Sequence, residues 1–205
     1  MENHDITNLI KMSTLTLLQT KHIGSITITE IANKSYISRV TFYNYFQNKE
    51  EIIDSLVSEI IEGFSTIQKR NSSFLNGIDM SDTDQIKNTL FPNTLEIAAF
   101  FKEKEALITG LLSENSGIQF MDILYDQYYQ HFLTALPQVF FIKFAPDIIE
   151  FYATYMTKGV AALVETWFQS GFKSSTEMIS HAILNMLAPA LSDLYSEKRS
   201  LYRCS

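Results

Sequence analysis

The stretch Thr27–Ile53, TITEIANKSYISRVTFYNYFQNKEEII, decides how the N-terminal part of the chain folds. Thr27 stands three residues before Glu30, the spacing of a capping box, in which each side chain satisfies a free backbone N–H at a helix start. Ile28, Ile31 and Ala32 supply the i, i+3, i+4 apolar face of a short helix, which runs only to about Ser35. Ser38 is placed to cap a second helix, Arg39 to Phe46. Phe42 and Phe46 lie one turn apart on it and can point inward together. Asn48 opens a further helix, and Glu51 completes a capping-box-like pair with it. Ile52, Ile53, Leu56, Ile60 and Ile61 carry its apolar register to near Arg70.

Two short helices joined by Lys34–Ile37 make a helix-turn-helix candidate. In such a unit the second helix enters the major groove of DNA and presents its N-terminal half to base edges. With Phe42 and Phe46 inward, Arg39, Thr41, Tyr43 and Asn44 face outward. Arginine reads guanine through two hydrogen bonds and asparagine reads adenine. Threonine and tyrosine hydroxyls suit phosphate oxygens, which position a protein without specifying sequence. Lys49, in the first turn of the next helix, sits where a cation and free helix N–H groups together clamp a phosphate.

Outward from this stretch the pattern stays helical. Asp5–Lys21 has apolar residues at helical spacing, with Gly24 at its stop. Residues 71–83, NSSFLNGIDMSDT, read as a loop and the best candidate boundary. Further helices are expected near 84–102, 103–114, 117–136, 145–171 and 175–195, with Pro92, Pro137, Pro146 and Pro189 as starts, stops or kinks. Only 4 Pro and 7 Gly in 205 residues, with 46% hydrophobic residues, exclude collagen-like, low-complexity and disulfide-framework classes. The fold class read from this is all-α: a three-helix head over 1–50, a connecting helix over about 48–70, and a helical body over 51–205.

Here the residues resemble a known family. The run T-I-T-E-I-A followed by I-S-R-V-T-F-Y-N-Y-F-Q-N-K-E-E-I-I is similar to the signature of TetR-type transcriptional regulators. FFKEKEALITGLLSENSGIQF and YMTKGVAALVETWFQSGF are similar to the C-terminal region of a subgroup from low-G+C bacteria. The resemblance implies a homodimer that binds a palindromic operator through two heads. It also implies an unknown small-molecule effector held in the body. The expected role is that of a repressor released by a small hydrophobic ligand; the alternative is a regulator or activator controlled by a protein partner. By position, Thr29, Arg39, Val40, Tyr43 and Asn44 match DNA-facing residues of the family, Thr41 and Lys49 match phosphate contacts, and Tyr45 matches a DNA-proximal His or Tyr. With Ser38, the cap, these form the candidate DNA-binding set. Tyr36 departs from the family, which usually has glycine in the turn; a side chain at positive φ there costs about 1 kcal/mol.

The body is rich in aromatics, most of which serve packing. A ligand pocket is expected at Tyr128, His131, Tyr152, Tyr155 and Met156, because pockets are apolar with a few placed polar groups. Gly159, Ala161 and Ala162, with Ile179, Ile183, Leu184, Leu187 and Leu191, suit a close helical dimer seam.

The net charge is −7. Residues 1–50 are near neutral, with Lys11, Lys21, Lys34, Arg39 and Lys49 against Glu2, Asp5, Glu30 and Glu50. Non-specific DNA binding should therefore be weak and salt-sensitive. The one cysteine, Cys204, allows no internal disulfide and fits a reducing cytoplasmic setting. No signal-peptide pattern opens the chain, and no apolar run is long enough to cross a membrane. His4, His22, His131 and His181 lack metal-ligand spacing, and no phosphate loop or nucleophile motif occurs, so neither a metal, a cofactor nor catalysis is expected.

Overall fold

A computed structural model describes residues 3–71, 79–140 and 146–201. Among the described residues the regular structure is entirely helical. The longer helices are α1 (Asn3–Leu18), α2 (Ile28–Lys34), α3 (Arg39–Tyr43), α4 (Glu50–Asn71), α5 (Thr83–Glu103), α6 (Glu105–Leu112), α7 (Phe120–Phe140), α8 (Pro146–Gln169) and α9 (Thr176–Leu201). Residues 72–78 of the expected loop, and Cys204, lie outside the described residues.

The chain divides into two units, one of residues 1–62 with 104–120 and one of residues 63–103 with 121–205. In the first, α1 packs on α2 and α6, and α2 packs on α3. Ile10, Leu18, Ile31, Phe42, Ile52 and Leu56 are sealed from solvent there. The segment after α5 is tied to α1 by polar contacts: Asn115 Nδ2 donates to Leu18 O at 2.8 Å. Glu59 accepts from Lys11 at 3.1 Å and Lys104 at 2.9 Å. Burial alone would raise the Glu59 pKa, but the hydrogen bonds from Lys104 and Lys11 outweigh it and hold the pKa below the ordinary value. Gly110 admits Leu15, whose Cδ2 is 2.5 Å from where a Cβ would stand.

In the second unit α5 lies along α9, and α8 packs on α9. Met80, Ile86, Phe132, Met156, Leu191 and Leu194 form one core cluster with their neighbours. Pro146 opens α8, whereas Pro92 and Pro189 lie inside α5 and α9. The α8 helix ends in a Schellman turn: Gly171 N–H donates to Phe168 O at 2.9 Å and Phe172 N–H to Trp167 O at 3.0 Å. Gly171 (φ 71°) and Phe172 (φ 53°) are both left-handed. Phe172 accepts that conformation because its ring is buried against Trp167, at 4.8 Å, and Phe168, at 5.0 Å.

Candidate DNA-binding face and effector cavity

The head builds its outward face from local rules. Thr27 Oγ1 accepts from Glu30 N–H at 3.2 Å, and the Glu30 carboxylate accepts from Thr27 N–H at 2.8 Å, closing the capping box. Lys21 pairs with the same carboxylate. The Lys21 hydrogen bond, with the Thr27 backbone and hydroxyl, holds the Glu30 pKa at about 2 against an ordinary 4.5. At the far end of α2, Tyr36 N–H donates to Asn33 O at 3.1 Å and Ile37 N–H to Ala32 O at 3.0 Å. This is a Schellman turn with Tyr36 at its left-handed position, φ 55°. The strain expected of a side chain in place of glycine is therefore present, and the Tyr36 ring, 93% exposed, recovers nothing by packing.

Ser38 Oγ accepts from Thr41 N–H at 3.0 Å and starts α3. The helix ends at Tyr43 rather than at Phe46, although Phe46 N–H still donates to Phe42 O at 3.1 Å. Phe42 is fully buried, Phe46 nearly so, and their rings are 6.3 Å apart. With that side anchored, Arg39, Val40, Tyr43 and Asn44 are exposed, Val40 at 75%. Thr29 and Ser38 are also exposed, while Thr41 and Tyr45 are half-buried. Lys49 differs from the expected free clamp. Its ammonium donates to Gly24 O at 2.8 Å and Ile26 O at 2.9 Å, so the charge is already engaged in tying the start of α4 to the turn before α2.

The second unit contains a cavity of about 170 Å³. Its wall draws on α4, α5, α7, α8 and α9, with Gln68, Phe101, Tyr128, His131, Trp167 and Leu187 among the lining side chains. Among the described residues no lysine, arginine, aspartate or glutamate lines it. Burial pushes the Tyr128 hydroxyl well above the ordinary tyrosine range. Burial, and then the charge of Lys69, lower the pKa of His131.

Of the five residues expected at a pocket, the structure brings Tyr128 and His131 to this wall. The other three lie elsewhere. Tyr152 hydrogen-bonds to Asp193 at 3.0 Å, Tyr155 is 65% exposed, and Met156 is in the core cluster. The reason is the register of α8, whose inward stripe runs through Ala153, Met156, Val160, Val164 and Trp167. Tyr155 falls off that stripe, Tyr152 stands beside it packed against the core cluster, and Met156 sits on it among the core side chains. The residues expected at a dimer seam divide between the cavity and the outer surface. Ala161, Ile179, Ile183, Leu187 and Leu191 line the cavity within one chain, and Leu184 is buried. Ala162 is exposed and Gly159 half-buried, and among the described residues the large apolar side chains exposed on these two helices are Phe151, Tyr155, Met178 and Met186.

Sequence reasoning missed Gln68. Its signal was a polar residue one turn after Phe64 on the apolar stripe of α4. Among the described residues there is no cluster of side chains that would hold a metal ion, and no helix is long and apolar enough to cross a membrane.

Comparison with known proteins agrees with this layout. Residues 13–56 match the family described as bacterial regulatory proteins, tetR family, and residues 88–189 match a transcriptional regulator C-terminal region. The chain is 24% identical over 179 residues to the uncharacterized HTH-type transcriptional regulator YxbF of Bacillus subtilis (strain 168), covering 87% of this chain and 44% of that protein. It is 25% identical over 146 residues to the HTH-type transcriptional regulator EthR of Mycolicibacterium smegmatis, covering 71% and 52%. The chain thus spans about half the length of the curated relatives it matches. Among solved structures, FadR from Bacillus subtilis in complex with stearoyl-CoA shares the fold, with a TM-score of 0.58 at 18% identity, over 89% of this chain and 97% of that one. A capped, split helix pair with an exposed outward face, a helical body behind it in sequence, and both family matches lead to one assignment: the chain belongs to the TetR family of transcriptional regulators.

Proposed function

We propose that this protein is a cytoplasmic one-component repressor that binds a palindromic operator as a homodimer and is released by a small hydrophobic ligand. The observation that carries the reading is the set Arg39, Val40 and Tyr43 on α3 with Asn44 at its C-terminal cap, exposed above the sealed Phe42. Arg39 and Asn44 read base edges, Val40 packs against a thymine methyl, and Tyr43 and Thr41 meet phosphate. Ser38 holds the helix start, Thr29 adds a hydroxyl from α2, and Tyr45 flanks the backbone. Lys49 offers phosphate its remaining N–H while its other bonds fix the head.

Two further features support the reading. The exposed Phe151, Tyr155, Met178 and Met186 give α8 and α9 an apolar surface suited to a second copy. The mostly apolar cavity favours a small effector over a protein partner. FadR, which shares the fold, is solved in complex with a small molecule, stearoyl-CoA. Release requires the ligand to prefer the state with lower operator affinity, and a coupling of about 1–3 kcal/mol is typical.

Selection of binding sites from random duplex DNA at fixed moderate salt tests this. An enriched palindrome is expected, with two half-sites contacted by one dimer. Folded protein that enriches no sequence at any salt concentration would overturn it.

A further inference from the structure

We propose that Gln68 is the polar anchor of the cavity, and that its ligand is a compact, uncharged, mostly apolar molecule carrying one O–H or N–H donor. This rests on the reading of the cavity as an effector site and specifies what that site selects.

Gln68 is 4% exposed and lines the cavity. Its Oε1 is shut off from solvent and has no hydrogen-bond partner among the described residues. A buried acceptor without a donor bears the full desolvation cost of that group. Native interiors pair nearly all such atoms. Leucine would fill this position on the α4 stripe without that cost. A carboxamide there is explained by a molecule that supplies the donor.

The wall sets the remaining chemistry. An apolar cavity of about 150 Å³ takes benzene, and this one measures about 170 Å³. A single substituted ring fits it. Because no lysine or arginine lines the wall among the described residues, a carboxylate or phosphate meets no counter-charge from them there. Burying an unpaired anion is costly. His131, held towards its neutral form by burial, does not supply the missing charge. The ligand's polar end is therefore neutral, and its donor points at Gln68.

Trp167, the only tryptophan of the chain, stands on the cavity wall and reports occupancy by its fluorescence. The full chain, without DNA, is titrated with cyclohexanol, fluorocyclohexane, cyclohexanecarboxylate and stearoyl-CoA. Cyclohexanol is expected to bind saturably. Gln68→Leu is expected to weaken it about three- to tenfold, the range set by one net hydrogen bond. Fluorocyclohexane, similar in size and without the O–H, is expected to bind the variant at least as tightly as the parent. The carboxylate and stearoyl-CoA are expected not to displace cyclohexanol. Gln68→Met serves as a second variant should leucine prevent folding.

Equal loss of both cyclohexyl ligands in the variants, unchanged cyclohexanol affinity, or displacement by the carboxylate or by stearoyl-CoA would each overturn the proposal. Cyclohexanol that binds through Gln68 yet leaves operator affinity unchanged would sink release by such a ligand and leave the Gln68 assignment standing.

Discussion

The ammonium of Lys49 lies 2.9 Å from the carbonyl oxygen of Ile26 and donates to it. A second bond, to Gly24 O, makes this lysine a strut of the head as well as a candidate phosphate contact. Lys49→Ala should therefore lower the stability of the free protein by about 1.5 kcal/mol, the low end for charged hydrogen bonds because the site is partly exposed. It should also weaken all DNA sequences alike and reduce the salt slope by about 1. Thermal unfolding without DNA checks the first effect. An unchanged melting temperature with a reduced slope would leave only the phosphate role.

Tyr36 and Phe172 share a backbone conformation and should respond to glycine with opposite signs. At Tyr36 glycine removes about 1–2 kcal/mol of left-handed strain and adds about 0.4–1 kcal/mol of unfolded-chain entropy. The exposed ring loses no packing, so Tyr36→Gly should stabilise the protein slightly. Phe172 is 3% exposed. Deleting a buried phenyl ring costs about 3–5 kcal/mol, so Phe172→Gly should destabilise it clearly. Denaturant unfolding of both variants tests the pair; a shared sign would contradict the account.

Glu30 makes the head acid-sensitive. Its pKa is about 2 in the folded protein against an ordinary 4.5, so its contribution is complete above 4.5 and is lost as pH falls toward 2. Glu30→Gln should flatten the pH dependence of the melting temperature in that window and leave it unchanged near neutrality in shape. Parallel profiles for the two proteins would show that the capping box and the Lys21 pair carry no pH-linked stability.

Arg39, exposed at the start of α3, is assigned to a base edge. Arg39→Ala should cost about 1–3 kcal/mol at the operator and relax preference at one base pair in each half-site. Site selection with the variant decides. A uniform loss across all sequences would move Arg39 to the phosphate backbone.

The head was legible because its rules are local. The Thr27–Glu30 box, the Ser38 cap and the Phe42–Phe46 pair each act within one turn, and each formed as the spacing dictates. The strain at Tyr36 was legible through the family resemblance, which places glycine in that turn. The cavity was not legible in the same way. A wall residue and a core residue have the same periodicity, so Met156 and Val164 look alike in the sequence although only Val164 lines the cavity. Gln68 was passed over because one glutamine on an apolar stripe reads as an interruption until its surroundings are known.

The absence of lysine, arginine, aspartate and glutamate from the cavity wall, among the described residues, has a consequence for how the protein behaves when a cell's ionic strength changes. Binding to phosphates releases counterions and falls steeply with salt. Occupancy of an uncharged cavity has no such dependence. On the function proposed above, a rise in internal salt would loosen the grip on DNA while leaving the dose of a neutral effector that fills the cavity the same. The regulator would count its ligand on a fixed scale and hold its promoter on a sliding one.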